Sequence, residues 1–186
     1  MITLRGSLAV GGLGAAAAFT FWVVQIGAPR TAQVTAPRHL PDYHFVAPRI
    51  TRFGADGRLA LDLRAARAVH FEDDDTVALE QLSVDYRTDT GDLWRLTAAR
   101  GSAPMSGEVL LLEGAVRVAR PRADGGALEL STERLTLATR SQRLTTDAPI
   151  EMHEGGSRMT ATGLDADLRA ERIRFISAVK GSYALR

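Results

Sequence analysis

Apolar and polar positions are arranged in two different ways along the chain. From Gly6 to Pro29 no position is charged, whereas from Tyr43 onward apolar residues return at every second position in short runs. Leu59, Leu61 and Leu63 share one parity, and Leu82, Val84 and Tyr86 share another. Leu110, Leu112, Gly114, Val116 and Val118 hold a single parity, as do Ile173, Phe175, Ser177, Val179, Gly181 and Tyr183. A period of two predicts strands with one buried and one solvated face. Gly54-Ala55-Asp56-Gly57, Asp89-Thr90-Gly91-Asp92, Asp124-Gly125-Gly126 and Glu154-Gly155-Gly156 supply the turns between them. No helical period follows the first segment, so the body is predicted to be all-β.

The body also repeats itself. Leu63-Arg64-Ala65-Ala66-Arg67, Leu96-Thr97-Ala98-Ala99-Arg100, Leu130-Ser131-Thr132-Glu133-Arg134 and Met159-Thr160-Ala161-Thr162-Gly163 follow one another at spacings of 33, 34 and 29 residues. A gapless offset of 63 aligns Arg95, Thr97, Ala98, Glu108, Ala115 and Val116 with Arg158, Thr160, Ala161, Glu171, Ala178 and Val179. Units of about two strands cannot bury a face alone and must stack. The prediction is an open, rolled stack of antiparallel strands.

The uncharged stretch is long enough, at ~1.5 Å per residue, to cross a ~30 Å hydrocarbon core. A cleaved signal peptide is the rival reading, but Pro29 directly after Ile26-Gly27-Ala28 is a poor residue to follow a cut. The chain is therefore divided into a transmembrane anchor (1–29), a Pro-bearing spacer (30–42) and a β body (43–186). Gly11, Gly12, Gly14, Ala15, Ala16 and Ala18 place small residues four apart in the anchor. That face either admits a second helix or is simply filler. Arg5 before the span and Arg30 and Arg38 after it leave orientation open.

Composition narrows the function. A chain of 186 residues suits one domain with a tail, and its formal charge of +1 lacks the basic surplus of a nucleic-acid binder. There is no cysteine, hence no disulfide, thiolate metal site or thiol nucleophile. His39, His44, His70 and His153 have no metal-ligand spacing, and Glu72-Asp73-Asp74-Asp75 lacks the spacing of a calcium loop. Neither a nucleophile elbow nor a phosphate loop is present. No enzyme, metal or cofactor is expected.

One resemblance is carried by Leu96-Thr97-Ala98-Ala99, Val109-Leu110-Leu111-Leu112-Glu113-Gly114-Ala115-Val116, Leu144-Thr145-Thr146-Asp147-Ala148-Pro149-Ile150 and the ending Ile173-Arg174-Phe175-Ile176-Ser177-Ala178-Val179-Lys180-Gly181-Ser182-Tyr183. With the uncharged anchor and spacer, the chain resembles the LptC family of lipopolysaccharide export proteins. The resemblance implies an open β-jellyroll of the OstA/LptA kind in the periplasm, tethered to the inner membrane by a single helix. It implies lipopolysaccharide as cargo, received from an ABC transporter complex (LptB, LptF, LptG type) and passed to a soluble jellyroll (LptA type). The family brings no catalytic residues.

Alternation, rather than transfer, assigns the lipid-facing interior to Leu61, Leu63, Val84, Leu96, Leu110, Leu112, Val116, Val118, Leu130, Leu137, Ile150, Met159, Ile173 and Phe175. The last strand, with Val179, Gly181 and Tyr183, is the candidate edge for a downstream jellyroll. The alternatives are a soluble LptA-like jellyroll with a cleaved signal and an anchored β scaffold that binds protein only. Composition leaves groove and filled core equally open.

Overall fold

A computed structural model describes residues 40–122 and 125–182. The anchor positions Gly11, Gly12, Gly14, Ala15, Ala16 and Ala18, and also Tyr183, lie outside the described residues. Among the described residues no helix is long and apolar enough to cross a membrane.

Eleven strands follow one another: β1 (Pro41–Val46), β2 (Arg49–Phe53), β3 (Leu59–Arg64), β4 (Arg67–Phe71), β5 (Thr76–Arg87), β6 (Leu93–Pro104), β7 (Val109–Pro121), β8 (Ala127–Ala138), β9 (Arg143–Glu154), β10 (Ser157–Asp167) and β11 (Arg172–Ser182). From β5 onward each pairs antiparallel with the next, so the sheet is a meander. The first half of β5 pairs with β4 and its second half with β3, while β1 pairs with β4 and β2 with β3. β1/β2 and β3/β4 are therefore two long rungs, each broken at its middle, by Ala47-Pro48 and by Ala65-Ala66.

The unbroken strands bend at the same level. Register slips by a residue between Thr97 and Arg100, Glu113 and Val116, Thr132 and Thr136, and Thr160 and Thr162. Gln81, Ala115 and Ala178 sit there in the left-handed region, at φ 49°, 48° and 51°. An extra residue in one strand of a pair bends it and raises its twist. A crease thus crosses the whole sheet and folds it into two facing layers. The four repeated motifs lie along that crease. Ala65, Ala98 and Ala161 are buried in it, because only short side chains fit where the layers meet. The repeat is the signature of the bend, and the aligned pair Ala115 and Ala178 is two copies of one bulge.

Between the layers Leu96, Leu112, Leu135, Leu137, Leu144, Leu164, Val84, Val116 and Val118 are fully buried. The Tyr86 hydroxyl in β5 donates to the Thr139 carbonyl at 3.0 Å across the gap between layers. On the outer face a row of cross-strand neighbours alternates in sign: Arg67, Glu80, Arg100, Glu113 and Arg134, ending at Asp147. Opposite charges on facing rungs add about 0.2–1 kcal/mol each. A slip of one residue would turn them all inward, so the row also fixes register.

Candidate functional site

All fourteen interior positions assigned from alternation face the space between the layers. Eleven belong to the buried core, and Met159, Ile173 and Phe175 are partly buried against it. The middle is filled: Leu96, Leu112, Val116 and Leu137 have no exposed surface. Between the layers, cavities open toward the two ends of the strand order.

At the β2/β3 end a cavity of about 240 Å3 is walled by Ile50, Leu61 and Leu63 from one layer and by Val77, Leu79 and Leu110 from the other. Its rim is the Pro104–Gly107 turn with Met105 exposed, and the lining includes Arg52. Beyond it Tyr43 and Phe45, cross-strand from His70 and Ala68, show an apolar face that no further rung covers among the described residues. At the β10/β11 end a cavity of about 560 Å3 lies between Trp94, Leu128 and Met152 on one side and Leu168, Ile173 and Phe175 on the other. Among the described residues β11 pairs only with β10, so Val179 and Gly181 stand on an edge strand there.

Each mouth carries one inward arginine, and the two are held differently. Arg120, opposite the buried Leu128, lies 5.6 Å above the Trp94 ring and pairs with Asp92 at 3.1 Å and Glu171 at 2.8 Å. The hydrogen bond to Glu171, with that to Asp92, raises its pKa above the ordinary arginine value. The Trp94 indole N–H beneath it is buried and has no hydrogen-bond partner among the described residues. Arg52, opposite the buried Leu61, reaches across the gap and donates one Nη1 hydrogen to the Gly107 carbonyl at 3.4 Å. It pairs with no carboxylate among the described residues.

β2 is kept on β3 by Asp62, which is buried on the outer face and bound by Arg49 at 2.8 and 3.1 Å and by Arg64 at 2.7 Å. The Arg49 hydrogen bond holds its carboxyl below the usual aspartate range. β1 is kept on β4 by His70, whose Nδ1 meets Asp42 at 2.7 Å and whose Nε2 meets Asp75 at 3.1 Å. The Asp42 contact, then that of Asp75, raises the histidine's pKa. A raised folded value means that this contribution is fully present below the unfolded histidine pKa of ~6.5 and is lost as pH rises through the folded one. The thermal midpoint of the full chain should therefore exceed that of His70→Gln by most near pH ~6, and the gap should shrink by pH ~9. A gap that widens with pH would remove the charged clamp.

The alternation located the interior lining but neither inward arginine, the buried Trp94 nor the His70 bridge. Arg52 and Arg120 occupy the inward parity of apolar strands, and a cation in that phase is a signal available in sequence. Spacing in the sequence gives neither His70 nor the 72–75 acidic run a role. Their link is a contact between β1 and β4, which no local pattern encodes.

A family model described as "Lipopolysaccharide-assembly, LptC-related" matches residues 13–184. No curated protein sequence matches. Among solved structures, the chain is similar to LptH of Pseudomonas aeruginosa, described as the LptA homologous periplasmic component of the conserved lipopolysaccharide transport device. The two superpose with a TM-score of 0.56 at 10% identity, over 67% of this chain and 95% of that one, a likeness of fold alone.

Proposed function

This chain belongs to the LptC family of lipopolysaccharide-assembly proteins, and from that premise we propose that it is a membrane-anchored carrier of lipopolysaccharide. It receives the lipid at the β2/β3 mouth and releases it at the β10/β11 mouth. Residues 6–29 are its single inner-membrane span, and the β body works in the periplasm. The cargo comes from an inner-membrane ABC transporter complex of the LptB, LptF and LptG type. It leaves to a soluble jellyroll of the LptA type that adds to the β11 edge, where Val179 and Gly181 stand. The supporting observation is two mouths toward opposite ends of one interior, the β2/β3 mouth apolar and the β10/β11 mouth lined by apolar and charged side chains together, each beside a strand that has no further partner among the described residues.

The energetics fit a carrier. Each buried methylene is worth ~0.8 kcal/mol, so an acyl chain of a dozen carbons moves between bilayer and interior with little net gain. Flow in one direction then needs work from outside, and with no nucleotide motif here a partner ATPase must do it. The filled middle means that cargo passes only when the two layers part at the expense of core contacts, and the protein closes again behind it.

Photo-crosslinking in cells tests this reading with probes at Met105 in the first mouth, Phe175 in the second and outward Arg117 as control. Lipopolysaccharide adducts at Met105 and Phe175, and none at Arg117, are expected. A folded, membrane-bound protein without adducts at either mouth would leave a scaffold that binds protein only.

A further inference from the structure

We propose that Arg52 is an oxyanion-binding residue at the receiving mouth: it selects amphiphiles by the charge of their head, and seating such a head frees it from the Gly107 carbonyl. The inference rests on the interior being a lipid path and adds which lipids it prefers.

Three observations carry it. First, Arg52 occupies an inward position of β2, opposite buried Leu61, and lines a cavity whose other walls are almost all apolar. A guanidinium in such a place is penalised unless an anion meets it. Second, none of the described residues supplies that anion. Its one hydrogen bond, to Gly107, is 3.4 Å long and to a neutral carbonyl, beyond the usual N–H···O range. Glu108, the acid next to Gly107 in the chain, is engaged by Arg140. Third, the inward arginine of the opposite mouth is already neutralised, since Asp92 and Glu171 hold Arg120. Of the two inward arginines, Arg52 alone is uncompensated among the described residues, and it stands at one end.

An amphiphile that lays its chain between Leu63 and Leu110 brings its head to the rim where Arg52 ends. A phosphate or carboxylate there accepts two parallel N–H bonds from a guanidinium, which are shorter and about twice as strong as bonds to a neutral group. The Gly107 contact ties β2 to the opposite layer, and exchanging it for the head group loosens that tie as cargo arrives. The Arg120 mouth has no such preference, so a charged head is retained on arrival and not on departure.

Native mass spectrometry of the full chain, released from a neutral detergent, tests the proposal. Equal dodecyl phosphate and dodecyl maltoside compete for it, and dodecanoate replaces the phosphate in a parallel arm. The wild type should carry dodecyl phosphate about ten-fold over dodecyl maltoside, which corresponds to the strength expected of one charge-assisted contact. Arg52→Gln should bind both equally, and Arg52→Lys should keep part of the preference. Met105→Glu, which puts a carboxylate on the same rim without touching Arg52, should also erase it. A dodecanoate preference that disappears in Arg52→Gln supports an oxyanion site that accepts a carboxylate as readily as a phosphate. A preference that survives Arg52→Gln, or a wild type that binds both heads equally, overturns the Arg52 assignment and leaves the lipid path standing. A wild type that takes up no amphiphile overturns both.

Discussion

Leu112→Glu is expected to unfold the β body rather than merely empty it. Leu112 has no exposed surface and lies in β7 between Gly101 of β6 and Leu135 of β8, at the filled centre of the molecule. The surroundings cannot open cheaply: a Cβ at Gly101 would lie 2.9 Å from Leu82 Cδ1 and 3.0 Å from the Leu111 carbonyl oxygen. A carboxylate there has no described cation within the core to meet, and burying it costs several kcal/mol even after relaxation. That is a large share of the 5–15 kcal/mol that holds a domain folded. Leu112→Ala should cost about 2–5 kcal/mol by cavity formation alone. Leu111→Glu is the control, since one residue away the side chain points outward and is 47% exposed; it should change stability by less than ~0.5 kcal/mol. Urea denaturation of the full chain in neutral detergent, followed by far-UV circular dichroism, reads all three. If Leu112→Glu unfolds at the wild-type midpoint, the interior is a wet groove along its whole length, and the layers stand apart in solution.

The same pair shows what was legible in sequence. The parity of Leu110, Leu112, Val116 and Val118 identifies the inner face of β7 because the side-chain period of a strand is independent of its neighbours. It does not tell a groove from a core, since either needs the same residues inward; only the distance between layers decides, and that is set by the crease. The crease itself left a mark, the recurring Ala-Ala and Thr-Ala steps, but the mark read as repetition without showing where the chain bends. In β5 the parity of Leu82, Val84 and Tyr86 fails to extend backward, because the left-handed backbone at Gln81 moves the inward positions to Val77 and Leu79. Turns with Gly-Asp chemistry were legible. Those at the other end place Gln142 and Glu171 in the left-handed region at φ 54° and 50°, and neither residue type announces a turn. The features that give each mouth its chemistry, Arg52 against Gly107 and Arg120 between Asp92 and Glu171, join residues far apart in the chain and are visible only once it is folded.

Gly163→Ala should loosen the β11 edge while leaving the rest of the body intact. Gly163 lies in β10 at φ +80°, on the crease, and a Cβ there would approach Ile176 of β11 at 2.9 Å (Cδ1), 3.0 Å (Cβ) and 3.2 Å (Cγ1). The Cδ1 contact is relieved by a rotamer change, but the Cβ contact is not, because Ile176 Cβ moves only with the β11 backbone. Two penalties add: about 1–2 kcal/mol for a side chain in the left-handed region and about 1–3 kcal/mol for overpacking. Among the described residues β11 has no neighbour on its other side, and its face is largely exposed, so it is the element that yields. Hydrogen exchange across 172–182 should quicken by ten-fold or more, with β6 to β8 unchanged. Capture of a like-folded soluble jellyroll, if it adds to this edge, should weaken in proportion. Ile176→Ala, nearly neutral alone because Ile176 is 62% exposed, keeps its Cβ; combined with Gly163→Ala it should relieve the Cδ1 and Cγ1 contacts and leave the Cβ contact and the backbone penalty in place. Exchange in Gly163→Ala that matches the wild type across β11 would mean that the strand is held by more than its single partner, and the open edge proposed for handover would be lost with it.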